Sequence, residues 1–192
     1  MTAIERMMEG TSLQLLALSG SLRSKSSNTE LLRAAAALAP DDVEITLYGG
    51  IGKLPHFNPD LEDALPPSVV DFRTRVAAAA GLLISCPEYA HGVPGSFKNA
   101  LDWLVGGPEF VNKPVALFNA SPRSSYAQES LAETIRTMSG RIVTEASVAL
   151  PLLGQRLDVH GIIEQPELAS AIRGAISAFV EAIESGSTET PA

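Results

Sequence analysis

Short apolar runs alternate along the chain with longer segments whose apolar residues recur every three or four positions. The runs are typical of parallel strands buried on both faces, and the longer segments are typical of amphipathic helices. Five strands are predicted, at residues 13–18, 43–48, 82–86, 115–119 and 142–150. Five helices are predicted between and after them, at about residues 29–39, 66–80, 97–105, 127–138 and 166–183.

This alternation predicts an α/β, doubly wound fold, because parallel neighbours in a sheet are joined by right-handed crossovers that place helices on both of its faces. A chain of 192 residues fits one domain. We therefore predict a single domain over residues 1–192, with an ordered core at about 13–184. Hydrophobic residues make up 45% of the chain and charged residues 19%, which is sufficient apolar surface for a stable core.

Charge and cysteine content exclude several classes of protein. Fourteen basic and 22 acidic side chains give a net charge of −8, which disfavours binding to nucleic acid or to an anionic membrane surface. The single cysteine, Cys86, cannot form an intramolecular disulfide, and no Cys/His cluster has the spacing of a zinc site. No apolar run is long enough to span a membrane. We therefore expect a cytoplasmic protein that binds neither nucleic acid nor membrane.

The loop after the first strand has the composition of an anion site. Ligands of open parallel sheets bind beyond the carboxyl ends of the strands, and residues 19–28 lie there, immediately before a helix. Free N–H groups and the helix dipole attract anions, the hydroxyls of Ser21, Ser26 and Ser27 can donate hydrogen bonds, and Arg23 adds a positive charge. An ordinary polar loop in which Ser27 or Asn28 caps the helix is an equal alternative.

The loop after the third strand combines prolines with aromatic and charged side chains. Pro87, Glu88, Tyr89 and His91 follow that strand directly and are suited to the wall of a site for a planar ligand. Taken alone, each has a simpler interpretation: Tyr89 and His91 as partly buried loop residues, and Glu88 as a solvated carboxylate.

Both loops resemble one family. Residues 20–28, GSLRSKSSN, resemble the G-S-L-R-x-x-S-x-N loop of the NADPH-dependent FMN reductases, which include quinone, azo-dye and chromate reductases. Residues 87–103 resemble the P-E-Y-N-x-x-x-P-x-x-L-K-N-A-x-D-W segment of the same family, and the similarity extends over roughly residues 13 to 180. The sequence departs from the family at Ala90, where Asn is usual, and at 121–126, where SPRSSY replaces a glycine-rich segment.

The resemblance implies a flavodoxin-like three-layer α/β/α fold with strand order 2-1-3-4-5 that binds FMN non-covalently. It places five residues around the FMN phosphate: Ser21, Arg23, Ser26, Ser27 (through its N–H) and Asn28. It places another four along the isoalloxazine, namely Pro87, Glu88, Tyr89 and His91, with Ser121 on the other side. Lys98, Asn99, Asp102 and Trp103 are expected to fix the flavin loop by packing and hydrogen bonds.

The implied activity is hydride transfer from NADPH or NADH to FMN, and onward reduction of a quinone, azo compound, metal oxyanion or flavin. No catalytic side chain or metal is expected, because FMN carries the chemistry, and Cys86 is expected to be a core residue. A homodimer or homotetramer is implied, with His56, Phe57 and Tyr126 near the interface. The alternatives are a flavodoxin-like electron carrier and a flavin-free binding or regulatory protein on the same fold.

Overall fold

A computed structural model describes residues 11–186. Its parallel sheet has the order β2-β1-β3-β4-β5, and a short strand β6 also pairs with β4. The strands are β1 (Leu13–Ser19), β2 (Val43–Leu47), β3 (Gly81–Ser85), β4 (Pro114–Asn119), β5 (Arg141–Ile142) and β6 (Val148–Ala149). This confirms the predicted α/β fold and its strand order.

Within residues 11–186, six α-helices cover the two faces of the sheet. They are α1 (Ser27–Leu38), α2 (Pro67–Ala78), α3 (Gly95–Val105), α4 (Ser125–Thr137), α5 (Val159–Ile163) and α6 (Pro166–Gly186). Buried side chains of α1, α5 and α6 share one apolar cluster, and those of α2, α3 and α4 share the other. Within residues 11–186 no helix is both apolar enough and long enough to cross a bilayer.

The central strands contribute to both clusters at once. In β1, Leu15 and Ala17 belong to one cluster while Leu16 and Leu18 belong to the other. This alternation follows from the two-residue repeat of a strand, in which successive side chains point to opposite faces. The apolar runs in the sequence therefore reflect burial on both sides of the sheet.

The predicted fifth strand, at 142–150, is wrong as a single element, because β5 and β6 are separate. Val115 is paired with Ile142 and Phe118 with Val148, so the edge segment has three more residues than β4 between these pairs. The extra residues form a 3₁₀ turn at Thr144–Ala146. The Ser147 hydroxyl oxygen accepts a hydrogen bond from the Leu117 N–H at 3.1 Å. It thus replaces a main-chain acceptor for β4 at the point where the pairing with the edge segment is interrupted.

Candidate functional site

A cavity of about 920 Å³ lies beyond the carboxyl ends of β1, β3 and β4. Its volume is within the range of small-molecule and cofactor pockets. Four loops form its walls, following β1, β3, β4 and β6. The lining residues are Ser21, Arg23, Lys25, Ser26, Ser27, Asn28, Glu30, Pro87, Glu88, Tyr89, Asn119, Ala120, Ser121, Ser124, Leu153, Gly154, Arg156, Leu157 and Asp158.

The cavity brings together all but one of the ten predicted site residues. His91 is the exception, since it is not among the lining residues. Its ring instead stacks on Tyr126, with centroids 4.3 Å apart and planes 17° from parallel. His91 therefore lies outside the lining, and its place beside the isoalloxazine stays a prediction.

The loop after β1 is ordered by hydroxyl groups at its base. The Ser19 and Thr29 hydroxyls are 2.8 Å apart, and the Ser21 N–H donates to Ser19 Oγ at 3.3 Å. The cap of α1 is Ser26, neither Ser27 nor Asn28, because Ser26 Oγ accepts from the Thr29 N–H at 3.5 Å. Ser26 holds the extended backbone that a cap position requires.

The start of α1 has the properties of an anion site. The first N–H groups of a helix have no acceptor in the preceding turn. Those of Ser27 and Asn28 have no hydrogen-bond acceptor within residues 11–186, and both residues line the cavity. The Asn28 side chain is held by the end of β3, since its Oδ1 accepts a hydrogen bond from the Ser85 hydroxyl at 2.9 Å. A helix terminus of this kind favours negative charge.

The charged side chains of the cavity differ in whether they have partners within the described residues. Three cationic side chains line it and form no ion pair with any residue in the described part of the chain: Arg23, Lys25 and Arg156. Three carboxylates line it as well, and each accepts a hydrogen bond from another group: Glu30 from Arg33, Glu88 from the Ala127 N–H and Asp158 from the Gly161 N–H. The formal charges of these side chains balance, but within residues 11–186 only the carboxylates have hydrogen-bond partners, so the cations are the charged groups available to a ligand.

Glu88 connects the loop after β3 to α4. Its Oε2 accepts from the N–H of Ala127, at 3.0 Å, in the first turn of that helix. Ser124, at the cap position of α4, makes no side-chain capping bond, so Glu88 supplies the cap from another loop. The carboxylate is neither freely solvated nor placed as a proton donor, and it stabilises the wall formed by the loop after β4.

A tight hairpin turn follows Glu88. Tyr89 and Gly92 exchange two main-chain hydrogen bonds of 3.1 and 3.0 Å. The two residues between them have left-handed backbones, with φ of 50° at Ala90 and 59° at His91. Positive φ at both central positions defines a type I′ turn, in which Asn and Gly are preferred. The usual Asn of the family at position 90 thus has a conformational reason, and Ala90 lacks that advantage.

The SPRSSY segment, residues 121–126, forms one side of the cavity. The side chain of Asn119 accepts from the Ser121 N–H at 2.9 Å, and the Ser124 N–H donates to Ser121 O at 3.0 Å, which forms a compact turn before α4. Ser121 and Ser124 line the cavity, whereas Arg123 and Tyr126 do not. The larger side chains of this segment, Arg123 and Tyr126, therefore do not occupy the cavity. The Tyr126 ring contacts His91 instead.

The helix motif after the hairpin supports a different loop from the expected one. Asn99 accepts from the Phe57 N–H at 2.7 Å and donates to Pro55 O at 2.9 Å. Trp103 Nε1 donates to the same oxygen at 2.8 Å, and its ring meets the Phe57 ring edge-on. These residues are structural, as predicted, but they fix the segment after β2 and make no side-chain hydrogen bond to the loop that begins at Pro87.

Cys86 is buried at the end of β3, 1% exposed, and burial raises the pKa of its thiol to about 12. A thiol with this pKa remains protonated at neutral pH and is a poor nucleophile. A Cβ on Gly20 would lie 2.8 Å from Cys86 Sγ, so the chain needs glycine where the loop after β1 crosses β3. The role of Cys86 is packing.

Sequence reasoning missed the wall that follows β6. Leu152 and Leu153 donate their N–H groups to Ala120 O, at 3.1 and 3.2 Å, which brings residues 153–158 over the cavity. Gly154 and Arg156 have positive φ, of 89° and 54°. The signals in the sequence were Gly154, a turn residue, and Asp158, which caps α5 by accepting from Gly161.

A flavodoxin-like sheet with an anion site at the start of α1 defines a protein that binds a phosphorylated cofactor at its carboxyl edge. The family model of the NADPH-dependent FMN reductases matches residues 13–152. The NAD(P)H-dependent FMN reductase PA1204 of Pseudomonas aeruginosa is 34% identical over 155 residues, which cover 78% of this chain and 83% of that protein. The chain belongs to the NADPH-dependent FMN reductase family.

Two other relatives extend this comparison. The 2-hydroxy-1,4-benzoquinone reductase of a Burkholderia species is 38% identical over 112 residues, 57% of this chain and 61% of that one. The solved structure of FerB, a flavoenzyme NAD(P)H:(acceptor) oxidoreductase from Paracoccus denitrificans, matches 90% of this chain and 97% of its own, with a TM-score of 0.79 and 29% identity. The protein is thus an oxidoreductase with FMN as cofactor and NAD(P)H as co-substrate.

Removing the Glu88 carboxylate should destabilise the protein. Glu88→Ala leaves the Ala127 N–H without its acceptor, and the expected loss is about 0.5–2 kcal/mol of unfolding free energy, as for other capping residues. Glu88→Gln retains an acceptor and should lose less. Urea denaturation measures both, with Glu133→Ala on the exposed side of α4 as the control, expected within about 0.5 kcal/mol of wild type. A Glu88→Ala protein as stable as this control would contradict the capping role.

Restoring Asn at position 90 should stabilise the hairpin turn. Ala is unfavourable at φ of 50°, whereas Asn tolerates this region, so Ala90→Asn is expected to raise the unfolding free energy by roughly 0.5–1 kcal/mol. The matched change Ala37→Asn, at an exposed position of α1, should lower it by about 0.5 kcal/mol, because Asn is a poor helix former. Opposite signs in thermal or urea unfolding support the left-handed turn, and equal losses would refute it.

Proposed function

We propose that the protein reduces quinones with NAD(P)H, through FMN bound in the cavity with its phosphate at the start of α1. The observation that supports this most directly is a set of anion-binding groups on one wall that have no partner within residues 11–186: the N–H groups of Ser27 and Asn28, and the guanidinium of Arg23. A phosphate monoester matches these donors, since it offers several charged acceptor oxygens.

In this proposal the other predicted residues position the cofactor. Ser21 and Ser26 donate hydroxyl hydrogen bonds near the phosphate, and Pro87 to Tyr89 form the wall beside the isoalloxazine. Ser121 forms the opposite wall. The cavity is large enough for a cofactor of this size, and all four of its loops contribute polar side chains.

Bound FMN supplies the redox chemistry, accepting hydride from a nicotinamide and returning electrons to an acceptor. The protein residues exclude water and orient the two substrates. No histidine or cysteine is among the residues that line the cavity, and the Glu88 carboxylate accepts a hydrogen bond from the first turn of α4. The proposal therefore assigns no side chain to proton transfer.

Quinones are the proposed acceptor class, because relatives of this chain are named for quinone reduction. Azo compounds, metal oxyanions and free flavin are further acceptors implied by the sequence resemblance. We also propose a cytoplasmic location, which is consistent with a single cysteine that is buried and reduced.

Spectroscopy of the purified protein tests the activity. Protein loaded with FMN and desalted should retain the flavin absorbance, lose it on anaerobic addition of NADPH or NADH, and regain it with a benzoquinone. Arg23→Ala should weaken FMN binding about 10- to 100-fold through loss of a charge-assisted hydrogen bond. Arg173→Ala removes the same charge at an exposed position of α6, outside the cavity, and should leave the affinity unchanged.

Other outcomes separate the alternatives. Flavin that stays bound but is not bleached by either nicotinamide indicates an electron carrier. Protein that takes up no FMN indicates a flavin-free binding or regulatory role. Equal affinities for Arg23→Ala and Arg173→Ala would contradict the proposed phosphate position.

The rim of the cavity supports assembly with a second copy. Four large apolar side chains on its loops are at least half exposed: Leu22 (59%), Tyr89 (50%), Tyr126 (55%) and Leu153 (60%). Exposed apolar side chains grouped around a site mark an interaction surface. We propose a homodimer, or a homotetramer built from it, that covers this rim.

Sedimentation equilibrium tests the assembly. The FMN-loaded protein is expected at a multiple of 20.2 kDa, and Leu153→Glu should shift it toward the monomer by placing a charge in the interface. Val105→Glu, an equally exposed apolar position at the end of α3, is the control. A fully active wild-type monomer would contradict the interface.

A further inference from the structure

Arg156 is a cavity residue whose side chain has no polar partner in the described part of the chain. It is exposed, lines the cavity, and makes no ion pair or hydrogen bond with any residue from 11 to 186. Neither the two loop motifs nor the site residues derived from them include it. Its guanidinium is therefore available to a ligand.

The backbone around Arg156 is held in place from both sides. Upstream, the N–H groups of Leu152 and Leu153 bond to Ala120 O, at the end of β4. The Gln155 side chain bonds to Pro151 O at 2.6 Å within the same turn. Downstream, Asp158 caps α5 through the Gly161 N–H at 2.9 Å. The loop therefore presents Arg156 from a fixed position.

The downstream anchor places Arg156 toward the start of α1. Helix α5 packs against α1, and Ile162 shares a buried cluster with Leu31 and Leu32. Leu157 packs against the same cluster, and Leu157 and Asp158 both line the cavity. Arg156 directly precedes these two residues and lines the same cavity as Ser27 and Asn28, whose N–H groups have no acceptor within residues 11–186.

The backbone conformation of Arg156 is unfavourable for its residue type. Its φ is 54°, in the left-handed region that residues with a Cβ enter only at an energetic cost. Backbone strain of this kind is concentrated at ligand-binding positions. An arginine at a position where glycine is favoured is consistent with a function for the guanidinium.

We propose that Arg156 is a second cationic ligand of the FMN phosphate, acting together with Arg23. The inference rests on the proposed function, since it takes FMN as the occupant of the cavity. A phosphate monoester carries close to two negative charges at neutral pH. Two arginines, one on the loop after β1 and one on the loop after β6, balance that charge and hold the phosphate from two loops.

The affinities for FMN and riboflavin test this assignment, because riboflavin lacks only the phosphate. Arg156→Gln should weaken FMN binding about 10-fold or more and leave riboflavin binding within about twofold of wild type. Arg156→Lys should recover part of the FMN affinity because it restores the charge. Arg173→Gln, at an exposed position on α6 outside the cavity, is the matched control and should change neither affinity.

Three results would overturn the proposal. Unchanged FMN affinity in Arg156→Gln excludes a contact with the phosphate. An equal loss of FMN and riboflavin affinity shows that the substitution disturbs the loop. A raised KM for NADPH, with unchanged KM for NADH and unchanged FMN affinity, assigns Arg156 to the 2′-phosphate of the nicotinamide nucleotide. Failure of wild-type protein to bind FMN at all would instead contradict the proposed function.

Discussion

The junction between β1 and β3 at their carboxyl ends determines where the cavity lies. The last pair of the ladder is Ser19 with Ser85, and the Gly20 N–H continues it by donating to Ser85 O at 2.8 Å. The Ser85 hydroxyl then reaches Asn28 in the first turn of α1. One strand end thus positions both the loop after β1 and the helix terminus that follows it. This close approach requires glycine at position 20, because Cys86 lies directly against it.

The charged groups of the cavity that are available to a ligand are cations. The chain is acidic overall, yet the carboxylates of the cavity are each hydrogen-bonded elsewhere, while its arginines and lysine have no partner within residues 11–186. The dipole of α1 acts in the same direction. These terms depend on different loops that converge at one edge of the sheet, so the anion site is a property of the tertiary structure. FMN fits this cavity because one wall can bind its phosphate and the other walls can contact its planar ring.

The sequence was sufficient for the fold because burial on both faces leaves a strong pattern. The apolar runs at β1, β3 and β4 and the helical periodicity between them specify a parallel sheet, and the loop motifs locate nine of the cavity residues. The edge of the sheet was harder to predict. The division of β5 from β6 depends on Ser147 bonding to a neighbouring strand, which leaves no periodic signal.

Two further features at or near the cavity could not be predicted from the sequence, for physical reasons. His91 does not line the cavity, since a left-handed turn brings its ring against Tyr126, 35 residues away in the sequence. Arg156 lies in a segment that resembles an ordinary surface turn until the Ala120 carbonyl and α5 fix it over the cavity. Both depend on long-range contacts that local patterns do not encode.

A crystal structure of the FMN-loaded protein tests the central claim most directly. The account predicts phosphate density at the start of α1, with its oxygens about 2.7–3.2 Å from the N–H groups of Ser27 and Asn28 and from the guanidinium of Arg23. The isoalloxazine should lie along Pro87 to Tyr89. Density for FMN with the phosphate directed into solvent, or for a flavin bound away from α1, would contradict it.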